Sequence, residues 1–259
     1  MKNPDGASGL IELPSALHAS LAAWRDGLRD AAGNACRAIY VHGSVLTARY
    51  DAATSDINLL VVLDDFTPER LEAIAAAVAA QAKAGAKAKR PRVTPLVLTL
   101  QQIHDSSDVF PIEFLDWSRR RALLDGTDVL AGLQVEPRNL RLQCESELRS
   151  KLVGIRQAFL LRGGAPGTAR DLLARAAGGS AALFRGLLEL RDVAPPETAE
   201  ELVGAVARTY GVNAEALAGP FTARRQPPQW AENAARSCLA QYVAALDALI
   251  RAVDALAVD

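Results

Sequence analysis

Residues 39–63, IYVHGSVLTARYDAATSDINLLVVL, constrain this chain more than any other stretch. An apolar run, 39–41, ends in His42-Gly43-Ser44. A short helix-compatible segment covers 45–50, a polar turn follows, and Asp56-Ile57-Asn58 opens a second apolar run, 59–63. Short apolar runs bounded by turn residues read as strands. Side chains alternate along a strand, so positions 56 and 58 share a face. A Gly-Ser turn at a helix N-terminus offers backbone N–H groups and a hydroxyl in the positive end of the helix dipole, an arrangement suited to phosphate. Gly43 lets an anion approach the backbone closely.

The rest of the chain is ordered around that unit. A leader, 1–13, precedes a helix expected over 16–32, where Leu17, Leu21, Trp24 and Leu28 recur at spacings of three and four and Gly33-Asn34 ends the run. The first strand is expected at 36–42 and the second at 56–64. Thr67-Pro68-Glu69 then starts an alanine-rich helix, 69–83. Residues 83–92, KAGAKAKRPR, read as a solvated helix-to-strand loop, since five charges without interleaved aromatics make a weak nucleic-acid footprint. A third strand is expected at 93–100, where Pro95 implies an edge or a bulge. A connector at 103–107, a fourth strand at 109–117 and a short basic element at 119–124, ending in Asp125-Gly126, complete the half.

Pro137 marks the expected boundary, giving domains 1–136 and 137–259. Beyond it no strand pattern occurs. Helices are expected at 140–161, at 169–190 with a middle weakened by Gly178-Gly179, at 197–209, at 213–218 and, after a proline-rich loop at 226–229, at 230–256. The fold class expected is α+β: a small mixed β-sheet domain with flanking helices, followed by an all-α bundle.

Net charge is −1 and the pI is near 6.3, which argues against a nucleic-acid partner engaged through a wholly basic surface. Cys36, Cys144 and Cys238 form no metal-ligand spacing, and an odd, scattered set suits a reducing, cytoplasmic setting. No apolar run reaches the length of a membrane span.

His42-Gly43-Ser44, eleven residues, then Asp56-Ile57-Asn58 resembles the signature of the DNA polymerase beta type nucleotidyltransferase superfamily. The mixed-sheet half followed by a bundle looks like the aminoglycoside nucleotidyltransferases, and Leu123-Leu124-Asp125-Gly126 is similar to the tail of their catalytic domain. The resemblance implies a nucleotidyltransferase-like domain that takes a nucleoside triphosphate with Mg2+ and passes the nucleoside monophosphate to a hydroxyl acceptor. Gly43 and Ser44 would then cradle phosphate and Asp56 would be catalytic and hold metal, joined by Asn58. In the aminoglycoside enzymes a carboxylate of the helical half acts as general base, and basic residues near the junction meet phosphate. Glu145 or Glu147 is the candidate for the first role and Arg149 or Lys151 for the second. Glu145 with Arg149 and Glu147 with Lys151 are equally well spaced for ion pairs along one helix.

The sequence also departs from that pattern. Position 58 is Asn rather than an acid, and residues 93–100 (VTPLVLTL) contain no carboxylate. Glu113 or Asp116, on the fourth expected strand, is the candidate replacement for the third acid. If one metal contact is worth about 4 kcal/mol in the transition state, its loss slows transfer roughly a thousandfold. Three readings follow: an active nucleotidyltransferase; a nucleotide-binding protein that has shed its chemistry; and a regulatory module whose helical half docks a partner protein or a second copy. The acceptor is not legible in the sequence.

Overall fold

The computed structural model describes residues 10–47, 56–87, 91–225 and 230–258. Most of the leader, the second half of the 45–50 segment with the polar turn, residues 88–90 of the basic stretch and the proline-rich loop lie outside the described residues. The chain divides into two compact units, 1–135 and 136–259.

In the first unit the described residues form a five-stranded mixed sheet in the order β1-β5-β2-β3-β4. These are β1 (Leu10–Ile11), β2 (Cys36–His42), β3 (Ile57–Leu63), β4 (Val93–Thr99) and β5 (Arg121–Gly126). β2 runs antiparallel to β3 and β5, whereas β3 with β4 and β1 with β5 are parallel. β2 and β3 are central, which explains their near-continuous apolar runs. β4 is an edge strand, one of the two positions that Pro95 allows. The core forms where one sheet face meets α1 (Ser15–Ala32) and α2 (Pro68–Lys87). Ile39 and Val41 of β2 and Leu59, Val61 and Leu63 of β3 pack there with Leu21, Trp24 and Leu28 of α1 and Ile74 of α2.

Several sequence expectations need correction. Residues 109–117 are not a strand: α4 covers Pro111–Arg119, and the connector before it is the short helix α3 (Leu100–Asp105). Pro111 sits in the first helical turn, where its missing N–H does no harm. The polar positions Glu113 and Asp116 are three apart, a helical rather than a strand period, and Ile112, Phe114, Leu115 and Trp117 between and around them are buried. α3 starts at a capping box, with the Thr99 hydroxyl accepting from the Gln102 N–H and Gln102 Oε1 accepting from the Thr99 N–H.

The basic element expected at 119–124 divides between the end of α4 and strand β5, which inserts between β1 and β2. The strand ends at Gly126, whose φ is 87° and where a Cβ would lie 2.1 Å from the Arg37 carbonyl oxygen. The end of the leader, Leu10–Ile11, pairs with β5 instead of running loose. α2 extends to Lys87, because alanine, lysine and glutamine favour a helix strongly enough to carry Gly85.

The second unit is helical among its described residues: α5 (Pro137–Leu161), α6 (Thr168–Ala176), α7 (Ser180–Glu189), α8 (Ala199–Tyr210), α9 (Ala214–Arg225) and α10 (Glu232–Asp254). The helix expected at 169–190 is two helices. Gly179 takes a left-handed conformation (φ 69°) and separates α6 from α7. Among the described residues, no helix is long and apolar enough to cross a membrane.

Candidate functional site

β2 ends at His42 and the chain turns through Gly43, at φ 83° and ψ −153°, into a single 3-10 turn, Ser44–Leu46. The helix expected at 45–50 is therefore only this turn among the described residues. The turn closes on itself. Leu46 N–H donates to the Gly43 carbonyl at 3.2 Å, and Thr47 donates to the Ser44 carbonyl through its N–H (3.0 Å) and its hydroxyl (2.7 Å). Val45 and Leu46 are buried in the core while Ser44 is exposed. Two apolar anchors thus hold a turn whose serine faces outward. The first N–H groups of such a turn have no acceptor within it.

Across the sheet, His42 pairs with Asn58 in β3, and Asn58 pairs in turn with Thr94 in β4. An ideal Cβ on Gly43 would lie 2.9 Å from Asn58 Nδ2. Glycine is therefore required here twice over, by its φ and by this close approach. Asp56 is exposed at the entrance to β3, with Arg92 Nε 3.9 Å from Oδ2, and the Ile57 N–H donates to the Arg92 carbonyl at 2.8 Å. Gly43, Ser44, Asp56 and Asn58 are thus carried by the adjoining ends of two central strands.

The strand neighbours that ring Asn58 are not acids. His42 lies beside it on β2 and Thr94 on β4, and Arg121 pairs with His42 from β5. Burial lowers the His42 pKa to about 4, against the opposing charge of Asp116, so the ring is neutral near pH 7. It meets Trp117 of α4 edge-on at 5.7 Å between centroids. Glu113 was expected on a strand and is instead exposed in the first turn of α4; the charge of Asp116, the other replacement acid, reaches His42.

Among the described residues, no three His, Cys, Asp or Glu side chains converge as a metal site. The oxygens of Asp56 and Asn58 suit one magnesium ion that arrives on a phosphate chain, since Mg2+ is commonly held by one or two carboxylates together with substrate oxygens. They do not suit a paired-ion centre, which needs more carboxylates.

The remaining expected residues lie on α5. Glu145 accepts from Arg141 (2.9 Å) and from Arg149 (2.7 Å), and these hydrogen bonds, Arg149's first, hold its pKa below the ordinary carboxylate value. Lys151 donates to the carbonyls of Ala176 (3.4 Å) and Gly178 (2.5 Å), at the C-terminal end of α6, where a cation offsets the helix dipole. Burial lowers its pKa. Glu147 is exposed.

The sequence reading did not single out Trp117, Arg120, Arg121 or Asp128. Arg121 is 1% exposed and forms a two-pronged ion pair with Asp128, Nε to Oδ1 at 2.9 Å and Nη2 to Oδ2 at 2.6 Å. The Tyr40 hydroxyl donates to Asp128 Oδ1 at 2.9 Å. The only available signal was the run Arg119-Arg120-Arg121 beside a tryptophan, whose separate fates depend on where α4 ends and β5 begins.

No protein-family model matches the chain, and no curated protein matches it. Among solved structures it is similar to spectinomycin adenyltransferase AAD(9) from Enterococcus faecialis, solved with ATP and spectinomycin, with a TM-score of 0.59 and 14% identity over 89% of this chain and 99% of that one. The chain has the α+β fold of that nucleotidyltransferase.

Proposed function

We propose that this protein binds a nucleoside triphosphate at Gly43–Ser44 and transfers its nucleoside monophosphate to a hydroxyl of a small acceptor. The observation that carries the reading is the placement of the Gly43 turn beside Asn58, with Asp56 two residues before it at the head of the adjacent strand. The fold shared with an adenyltransferase supports it. Ser44 and the N–H groups of the turn would receive phosphate oxygens. Asp56 and the Asn58 amide oxygen would hold a magnesium ion, which when bound neutralises phosphate charge. In transfer, the acceptor oxygen forms a bond to the α-phosphorus, the bond to pyrophosphate breaks, and the hydroxyl proton passes to a carboxylate. Glu147 is the exposed candidate for the base that the resemblance assigns to the helical half. Glu145 is engaged by Arg141 and Arg149, and Lys151 by two carbonyls.

A second reading, nucleotide binding without transfer, is favoured by one feature: Asn58 stands where a second acid is expected, and its strand neighbours are His42 and Thr94. Calorimetry with each of the four nucleoside triphosphates, with and without Mg2+, and a turnover screen that starts with ATP and spectinomycin separate the two. Magnesium-dependent transfer that is lost in Asp56→Ala and reduced in Glu147→Gln supports the enzyme. Binding without turnover supports the second reading, and no binding of any triphosphate overturns both.

A further inference from the structure

We infer that Arg120 is a positioning residue for the phosphate turn, an assignment that rests on the nucleotide-binding reading above. The run Arg119-Arg120-Arg121 crosses the junction of α4 and β5, and its members take different environments. Arg119 is exposed on the last turn of α4. Arg121 is enclosed and neutralised by Asp128, with Nη1 also donating to the Trp117 carbonyl at 3.1 Å. Arg120 lies between them, where the backbone leaves the helix for an extended conformation (φ −155°, ψ 109°) and its N–H still donates to the Asp116 carbonyl. Its Nη1 donates to the carbonyl oxygen of Leu46 at 3.1 Å.

That carbonyl belongs to the last residue of the turn that begins at Ser44. A three-residue 3-10 turn has too few internal hydrogen bonds to hold its own shape and depends on outside contacts. Val45 and Leu46 supply apolar anchorage from the core side. The C-terminal turn of α4 supplies two further contacts: Trp117 meets His42 immediately before Gly43, and Arg120 holds Leu46 at the far end. The turn is thus held at both ends by residues three apart on one helix and its cap. A guanidinium suits this position because its planar fork can bind one carbonyl and keep further donors for other acceptors. Anchoring the Leu46 carbonyl fixes the direction of the peptide units before it, including the N–H groups proposed to meet the triphosphate.

The experiment compares wild type with Arg120→Met and Arg120→Lys in the full-length chain, with Arg37→Met as a control. Arg37 pairs with Asp64 at the other end of β2 and β3. Calorimetry reads Kd for ATP, pyrophosphate and adenosine, and thermal melting reads the fold. Arg120→Met is expected to weaken ATP and pyrophosphate by about tenfold or more, the scale of one charge-assisted hydrogen bond. Adenosine affinity stays unchanged, Arg120→Lys recovers part of the loss, and Arg37→Met matches wild type. A merely structural brace would lower Tm and leave Kd of the folded protein unaltered. ATP binding by wild type with equal affinity in Arg120→Met overturns the assignment and leaves the nucleotide reading standing. Absence of ATP binding in wild type overturns the nucleotide reading, and the positioning role with it.

Discussion

At the residue scale, the site depends on the space that a glycine leaves beside an amide. Gly43 has a backbone conformation that other L-residues avoid, and its missing side chain is where Asn58 Nδ2 comes close. Gly43→Ala is expected to destabilise the first unit by about 1–3 kcal/mol, partly through φ and partly through the clash. In a Gly43→Ala, Asn58→Ala double variant only the steric part returns, so the two substitutions are non-additive in chemical denaturation. Asn58 is also where the proposed chemistry is weakest. Asn58→Asp restores a second carboxylate beside Asp56 and is expected to raise magnesium-dependent transfer. The gain should exceed tenfold, with an upper scale of roughly a thousandfold if the contact is worth about 4 kcal/mol. An unchanged rate would mean that this position does not reach the metal.

At the scale of elements, the buried network of Tyr40, Asp128 and Arg121 ties β2 and β5 to the segment that follows β5. The Val129 N–H donates to the Tyr40 hydroxyl at 2.7 Å, adding a backbone group to the set. Asp128→Asn leaves the Arg121 guanidinium enclosed without its counter-charge and is expected to cost about 3–5 kcal/mol. Burial alone would raise the Asp128 pKa, but hydrogen bonds from Arg121 and Tyr40 outweigh it and hold the carboxyl below its ordinary value. The stabilisation is therefore fully present above the unfolded pKa, about 3.9, and is lost as pH falls through the lower folded value. Urea titrations at pH 7 and pH 3 test this, with the difference between wild type and Asp128→Asn narrowing at the lower pH. α4 shows why an element can be misread from sequence: Val109 and Phe110, both exposed, extend its apolar run by two residues and blur the helical period that begins at Pro111.

At the scale of the whole molecule, the chain is two compact units, each with its own buried side chains. In the second unit Leu148, Leu173, Leu187, Leu188, Leu202, Val206, Leu217, Leu246 and Leu249 are all fully buried. A fragment spanning 136–259 is expected to keep a helical far-UV circular dichroism spectrum and melt cooperatively; a random-coil spectrum would overturn this. Its sedimentation behaviour tests the docking reading, since association of the fragment supports a partner or self-binding role for the helical half and a strictly monomeric fragment counts against it.

The periodicity of α1, the paired apolar runs of β2 and β3, the choice of edge or bulge for β4 and the succession of a mixed sheet by helices were all legible in the chain, because each follows from local spacing and from which faces must be buried. The placement of the Gly-Ser turn after the first strand and of Asp56 at the head of the second was legible for the same reason. What only the tertiary structure decided depends on contacts between residues distant in sequence. β5 was hidden because its charged first residue, Arg121, is buried against a partner seven residues away. The 3-10 turn could not be told from a short helix, since its length is set by the core that receives Val45 and Leu46. Arg120 meets Leu46 across seventy-four positions of chain. Local spacing determines which segments become strands and helices; only the fold determines which of three consecutive arginines holds the turn where a nucleotide is proposed to bind.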